Sequence, residues 1–368
     1  MARPDAGGIA SGSLAWTCAV ALALACVAAR GGQPDSRPAG PSAPPPGEAY
    51  KLADGPFEVD QVRNIALHDP KRGKDLAVTA TYPKGDGPFP TIVFSHGAGG
   101  AGDARMPIVR FWATHGYIVL APTHADSLAH RKPGERRTGM VQLIRKIATD
   151  GPGWENRAKD VSFVIDSLEE IQTKAPDIKG KPDAKRLGVG GHSYGAYTSQ
   201  LIAGATVDIP GGEKAKSFAD PRPRAILLLS PQRRGQMGLT ENSWAGITRP
   251  MMAMTGSRDF GAAGEPEGKL DPFRLAPAGD KYGVFVKDAY HMSFLGRVAD
   301  LDFGAGVLGI LTSPGIEETD QTAVFNYIKI ATIAFWDAYL KDDAKAKSYL
   351  GSEALPNYSK AAVRLDRK

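Results

Sequence analysis

The run Gly191-His192-Ser193-Tyr194-Gly195 places a serine between two glycines, two positions away on each side. The short apolar stretch 186–190 precedes it and predicts a strand, and the stretch 196–203 follows it and predicts the first turns of a helix. A serine on a sharp strand-to-helix turn has its hydroxyl raised above a sheet, and the flanking glycines let neighbouring backbone approach. The pattern therefore predicts that Ser193 is a nucleophile.

A serine hydroxyl is a weak nucleophile, so it needs a general base and a carboxylate that orients this base. In enzymes with this turn the acid and then the histidine follow the serine along the chain, and His291 is the only histidine after Ser193. Asp259 follows the turn after a predicted strand and is the favoured acid. The other carboxylates near this part of the chain are alternatives, namely Asp271, Asp280 and Asp288.

Acyl transfer through a serine also needs backbone N–H groups that face the developing negative charge. One is expected from Tyr194, the residue after the nucleophile. The other is expected from the glycine-rich loop 96–100, with Ala98 as the favoured donor. The loop lacks the Gly-Lys-Ser/Thr of a phosphate-binding loop. His96 and His192 lie near this predicted site and are interpreted as structural.

The elements that must hold these residues are short apolar strands alternating with helices. Such alternation predicts an α/β fold with a mostly parallel sheet covered by helices on both faces. Ligands of these sheets lie beyond the carboxyl ends of the strands, where the candidate residues fall. The predicted strands are 76–82, 91–95, 117–121, 186–190, 225–230, 251–255 and 282–286, the last being the final strand. The predicted helices are 106–115, 139–149, 154–174 and a closing helix at 322–340.

The first fifty residues differ from the rest. The stretch 14–29 is apolar and uncharged but too short for a stable membrane span, which predicts a signal peptide at 1–29. A linker rich in proline and glycine is predicted at 30–49, before a catalytic domain at 50–368. Both cysteines lie in the leader, and Cys26 is a candidate for a lipid anchor. The prediction is a secreted or periplasmic protein, with a lipoprotein as the alternative.

Charge and ligand patterns argue against two other classes of protein. The net charge is +5, but the small basic cluster at 131–137 has no interleaved aromatic residues, so nucleic acid is not a predicted partner. No group of His, Cys, Asp and Glu has the spacing of metal ligands. The sequence therefore predicts no metal and no cofactor.

Several segments together resemble a known family. The runs 90–97, 115–119 and 191–195, with outer segments at 69–74 and 334–340, are similar to the platelet-activating-factor acetylhydrolase and predicted dienelactone-hydrolase-like group of α/β-hydrolases. The resemblance spans roughly residues 62–350. It implies the α/β-hydrolase fold, Ser193 as nucleophile, His291 as base, and Ala98 with Tyr194 as oxyanion donors.

The chain departs from the acetylhydrolases at the acid. Those enzymes carry the aspartate directly after the strand that follows the elbow, where this chain has Ser230-Pro231-Gln232. The acid then falls one strand later, at Asp259, as in dienelactone-hydrolase-like and polyester-hydrolase-like enzymes, which argues against a phospholipid substrate. Ser193 also stands where dienelactone hydrolases proper have a cysteine, so their lactone substrate does not carry over.

These observations predict a serine hydrolase that cleaves carboxylic esters through an acyl-enzyme. The expected substrate is a small-molecule or lipid-like ester. Two alternatives stay open: an acyltransferase or peptidase with the same triad, and a non-catalytic binding module with the same fold. The segments 125–153 and 232–244 follow strands at the catalytic end and are candidates for a partial lid or for plain surface insertions.

Overall fold

A computed structural model describes residues 48–130, 139–260, 265–296 and 319–368 of the chain. Its centre is a nine-stranded sheet in the order β1-β2-β4-β3-β5-β6-β7-β8-β9. The six strands from β4 to β8 in that order pair in parallel, whereas β1, β2 and β9 join the edges antiparallel. The mostly parallel sheet predicted from the sequence is thus confirmed. The strands are β1 Val59–Asp69, β2 Lys74–Pro83, β3 Phe89–Ser95, β4 Ile118–Thr123, β5 Pro182–His192, β6 Ala225–Leu229, β7 Met251–Arg258, β8 Lys281–Tyr290 and β9 Val363–Arg367.

Helices cover both faces of this sheet. Alternate residues of a strand point to opposite faces, and in β3 Val93 joins one buried cluster while Ile92 and Phe94 join the other. The first cluster contains Trp154 of α3, and the second contains Trp112 of α1. The helices are α1 Pro107–Thr114, α2 Met140–Ile147, α3 Gly151–Asp166, α4 Leu168–Lys174, α5 Tyr194–Ala203, α6 Asp271–Leu275, α7 Gln321–Leu340, α8 Ala344–Leu350 and α9 Ala354–Tyr358.

Four details of the predicted elements are corrected by the structure. β8 is not the final strand and α7 is not the closing helix, because α8, α9 and β9 follow them. β9 is a five-residue edge strand with three charged residues, which hides its alternation from a sequence scan. β1 was not predicted, because polar residues dominate its first half. The single helix predicted at 154–174 is two helices, since Ser167 leaves the helical conformation between α3 and α4.

The predicted leader 1–29, nearly all of the predicted linker, and the basic cluster at 131–137 lie outside the described residues. The leader, the linker, the start of the catalytic domain, export and the Cys26 anchor therefore stay predictions. Within the described ranges, none of the helices has the length and apolar character needed to cross a membrane.

Candidate active site

Ser193 lies between the end of β5 and the start of α5, with a backbone φ of +55°. This is a strained conformation for a residue with a side chain. Steric crowding requires glycine at both outer positions of the pentapeptide. A Cβ on Gly195 would lie 1.8 Å from the Ser95 carbonyl oxygen, and one on Gly191 would lie 2.2 Å from the Gly195 carbonyl oxygen. The local geometry is that of a nucleophile elbow.

His291 starts a short 3₁₀ turn, His291–Leu295, directly after β8. Its Nδ1 lies 2.9 Å from Oδ1 of Asp259. A carboxylate accepts hydrogen bonds, so Nδ1 carries the proton and donates it. This leaves Nε2 as the basic atom of the neutral ring, which is the nitrogen that a serine nucleophile requires.

His192, the residue before Ser193, joins the elbow to the loop of His291. Its Nε2 donates to the His291 carbonyl oxygen at 2.8 Å, and the two rings lie 4.5 Å apart. Burial, together with the nearby His291, lowers the pKa of His192 to about 3, so its ring is neutral. The structure therefore gives His192 a tethering contact rather than the place of a base.

Asp259 is fully buried and follows β7 directly. Its Oδ2 accepts from the Thr255 hydroxyl at 2.9 Å. Burial alone would raise the pKa of Asp259, but the charge of Lys269 and the hydrogen bond from His291 outweigh it and hold that pKa well below its usual range. The acid is an ionised carboxylate against the imidazole.

The three alternative acids pair with other residues. Asp271 accepts from the Arg234 backbone N–H, Asp280 pairs with Lys347 at 3.1 Å, and Asp288 pairs with Arg258 at 3.0 Å. Among these four carboxylates, as the described part of the chain shows them, Asp259 alone accepts a hydrogen bond from His291.

The structure brings His291 and Asp259 into contact but does not close the link to Ser193. Among the described residues, neither Ser193 Oγ nor His291 Nε2 has a hydrogen-bond partner. Catalytic hydrogen bonds of this kind are often long in an unliganded enzyme and tighten when substrate binds.

The two candidate oxyanion donors lie on adjacent segments. Ala98 is in the loop after β3, and Tyr194 is the first residue of α5. Within the described ranges neither backbone N–H has a hydrogen-bond acceptor, as an oxyanion hole requires. The Ala98 loop is held nearby, because the Gly99 N–H donates to Asp126 Oδ2 at 3.0 Å.

Arg157 of α3 packs against both oxyanion segments and is 2% exposed. Its guanidinium donates to the His96 carbonyl oxygen at 2.7 Å and lies 4.0 Å from the centre of the Tyr194 ring. It also pairs with Asp126 through two nitrogens, at 2.8 and 2.9 Å. One side chain thus joins the carbonyl of the loop, the ring beside the elbow and the carboxylate that holds Gly99.

A second buried network adjoins Arg157. His124 Nδ1 donates to Asp160 Oδ2 at 2.9 Å, and its Nε2 lies 2.9 Å from the Ser95 hydroxyl. Burial, followed by the charge of Arg157, lowers the pKa of His124 to about 4. His96 is also buried, and its pKa lies well below its ordinary value for the same two reasons. His96 therefore has a structural place, as expected from the sequence.

Sequence analysis missed Arg157, Lys269 and the role of Ser230. A signal existed for Arg157, which falls within the buried stripe of α3 that includes Trp154 and Val161. A charged residue on such a stripe requires a buried partner. Lys269 lies in the turn Pro266–Leu270, ten residues after Asp259, and no local pattern distinguishes it.

The two candidate lid segments are partly anchored. Leu128 and Leu143 of the segment 125–153 pack near Gly99, and Leu239 and Trp244 of the segment 232–244 are buried in the core. A cavity of about 570 Å³ borders the first segment and includes Tyr194 in its lining; Ser193, Asp259 and His291 do not line it. In the described residues no group of three His, Cys, Asp or Glu side chains could hold a metal ion.

Comparison with known proteins finds two that this chain resembles. No family model matches the chain. The chain is 24% identical over 290 residues to a platelet-activating factor acetylhydrolase of Cavia porcellus; the match covers 68% of this chain and 58% of that protein's length. A ferulic acid esterase from Streptomyces cinnamoneus has a similar structure, with a TM-score of 0.54, 20% identity, and coverage of 84% of this chain and 95% of the esterase. The α/β-hydrolase fold is thus confirmed, as is the resemblance to this group of esterases.

Proposed function

We propose that the protein is a carboxylic-ester hydrolase in which Ser193 is the nucleophile, His291 the general base and Asp259 the residue that orients this base. Ala98 and Tyr194 supply the oxyanion N–H groups. The observation that carries the proposal is the pair of the buried Asp259 and the partly buried His291, joined through Nδ1 at 2.9 Å and tethered to the elbow by His192. A histidine held in this way offers Nε2 as a base.

The reaction follows from these positions. Ser193 Oγ attacks the ester carbonyl carbon and gives its proton to His291 Nε2, while the two N–H groups stabilise the oxyanion. The carbon–oxygen bond to the alcohol then breaks, and His291 returns the proton to the leaving alcohol. Water, deprotonated by the same nitrogen, attacks the acyl-enzyme and releases the acid and free Ser193.

The proposed substrate class is a carboxylic ester, since one similar protein is named an acetylhydrolase and the other an esterase. The acyl groups in the two names differ, an acetyl group in one and ferulic acid in the other. A panel of p-nitrophenyl acetate, butyrate and octanoate, with methyl ferulate and platelet-activating factor, separates acyl length from the nature of the alcohol. Asp259 directly follows β7, unlike the aspartate of the acetylhydrolases, and we therefore expect short esters to be cleaved faster than the phospholipid.

The change Ser193→Ala tests the proposal directly. It should lower hydrolysis of p-nitrophenyl esters by at least about 10³-fold and abolish covalent labelling by a fluorophosphonate probe, because no other group replaces the nucleophile. Ser199→Ala is the matched control. Ser199 lies in α5, the helix that starts directly after Ser193, and is fully buried, and its hydroxyl donates to the Gly195 carbonyl oxygen.

Labelling that survives Ser193→Ala would contradict the assignment of the nucleophile. Labelling of the wild-type protein without ester hydrolysis would point instead to transfer of the acyl group to another acceptor.

A further inference from the structure

Lys269 contacts the same carboxylate oxygen as the proposed base. Its Nζ lies 2.6 Å from Asp259 Oδ1, and His291 Nδ1 lies 2.9 Å from that oxygen. The Lys269 side chain is only 12% exposed, and Asp259 is fully buried. Lysine is rarely buried without a partner, so this contact is a built ion pair rather than a surface contact.

Ser230 completes the cluster. Its hydroxyl donates to Asp259 Oδ1 at 3.0 Å and accepts from Lys269 at 2.8 Å and from His291 Nδ1 at 2.9 Å. A hydroxyl has one proton and two lone pairs, and all three are used here. Ser230 is held with φ of +54°, and its N–H donates to the Met254 carbonyl oxygen of β7.

The other charges around His291 do not replace Lys269. His192 is neutral, and Arg258 on β7 pairs with Asp288 on β8 at 3.0 Å. The two helices packed against the His291 turn, α1 and α7, carry Arg110, which is exposed, and Lys329, which lies over the Phe111 ring at 4.7 Å. Lys269 is therefore the cation that shares an acceptor with the base in the described structure.

We propose that Lys269 is a positioning residue that acts through Asp259 and Ser230 to limit how strongly the carboxylate stabilises the protonated His291 ring, and so sets the pH range of the reaction. This inference rests on the function proposed above. In a triad the carboxylate stabilises the imidazolium that forms when the base takes a proton. Here an ammonium contacts the same oxygen and opposes that positive charge, because like charges this close disfavour one another. The imidazolium is therefore less stabilised than it would be beside Asp259 alone.

The test is the pH dependence of kcat/KM for Lys269→Met. Without the ammonium, the imidazolium is stabilised, so the midpoint of the acid limb should move upward by about one pH unit, the order expected for a partly screened charge at this separation. At pH values below the midpoint, kcat/KM of Lys269→Met should be about 10-fold lower than that of wild type. At pH values well above it, the kcat/KM values of the two proteins should agree within a factor of about three. Lys269→Arg keeps the charge and should keep the wild-type midpoint. Lys287→Met, at an exposed position of β8, should change nothing.

An equal loss at every pH, with an unmoved midpoint, would assign Lys269 a purely structural role and overturn the proposal. Lys269→Gln, which keeps a polar side chain of similar length, provides the same comparison should the methionine variant fold poorly.

A second measurement separates this inference from the proposed function. The His291 ring is titrated by NMR in Ser193→Ala protein with and without Lys269→Met, which requires no turnover. A shifted midpoint, together with a wild-type protein that hydrolyses none of the esters, would support the electrostatic coupling and refute the esterase. Ester hydrolysis by the wild type together with an unshifted titration would refute the coupling alone.

Discussion

Two cations, the buried Arg157 and the partly exposed Lys269, flank the proposed chemistry and make different kinds of contact. Arg157 is 2% exposed and spreads its contacts over the His96 carbonyl oxygen, the Tyr194 ring and both oxygens of Asp126. Lys269 converges with Ser230 and His291 on one oxygen of Asp259. A planar guanidinium fixes several acceptors at once, whereas an ammonium acts as a point charge. Under the proposed function, the oxyanion side is therefore held by geometry, and the acid–base side is tuned by charge.

The largest effect that this comparison predicts is on the acid–base side. Asp259→Asn should lower kcat about 10³- to 10⁴-fold, because an amide cannot stabilise the imidazolium and can reverse the tautomer of His291. The free energy of unfolding should change less than for Arg157→Met. The cation left unpaired by Asp259→Asn is Lys269, and its side chain is still partly exposed to water. Ester kinetics and urea unfolding measure the two quantities.

Adding Ser230→Asp to Asp259→Asn should recover at least about 10-fold of that loss. The Ser230 hydroxyl is already 2.9 Å from His291 Nδ1, and aspartate tolerates positive φ better than most residues. If kcat does not recover at all, the carboxylate is needed at the end of β7 and cannot be supplied from position 230.

Arg157→Met should have a mixed effect of intermediate size. It leaves Asp126 without its partner, which should cost about 3 to 5 kcal/mol of the free energy of unfolding, and it should lower kcat about 10²-fold as the Ala98 loop loses its alignment. Thermal unfolding and kcat are the measurements, with the exposed Arg145→Met as control. Loss of stability with unchanged kcat would break the proposed link between Arg157 and the oxyanion loop.

The smallest effect is the pH dependence of stability from the network beside Arg157. His124 is held neutral with a pKa of about 4, against an ordinary value of 6.5. As the pH falls below 6.5, the His124 ring takes up a proton in the unfolded chain but not yet in the folded one. The stability that the neutral ring contributes above pH 6.5 is therefore lost as the pH falls toward 4, at about 1.4 kcal/mol per pH unit.

The variant His124→Gln should therefore flatten the fall of the unfolding free energy across this window, measured by urea unfolding at several pH values. The matched control is His68→Gln, because His68 is exposed. A slope equal to that of wild type would show that His124 is charged in the folded protein.

The extent of sequence-based prediction also differs between the two sides. The elbow and the order of serine, acid and histidine predict Ser193 and His291 and favour Asp259, because the chemistry dictates residue types at particular strand ends. The contacts of Lys269 and Arg157 depend on which segments the sheet brings together, because the partners lie 10 and 31 residues away along the chain, beyond any local spacing pattern. The edge strands β1 and β9 escaped prediction for a related reason, since their polar faces contact solvent and carry no apolar run.

The hydrogen bond between His192 and the His291 carbonyl joins two distant parts of the chain. His291 is anchored by the pairing of Tyr290 with Arg258 on one side and by the residue adjoining Ser193 on the other. The chain that follows holds the same turn, because Ser293 donates to Gln321 of α7. Under the proposed function, a change that displaces the elbow would therefore displace the base with it.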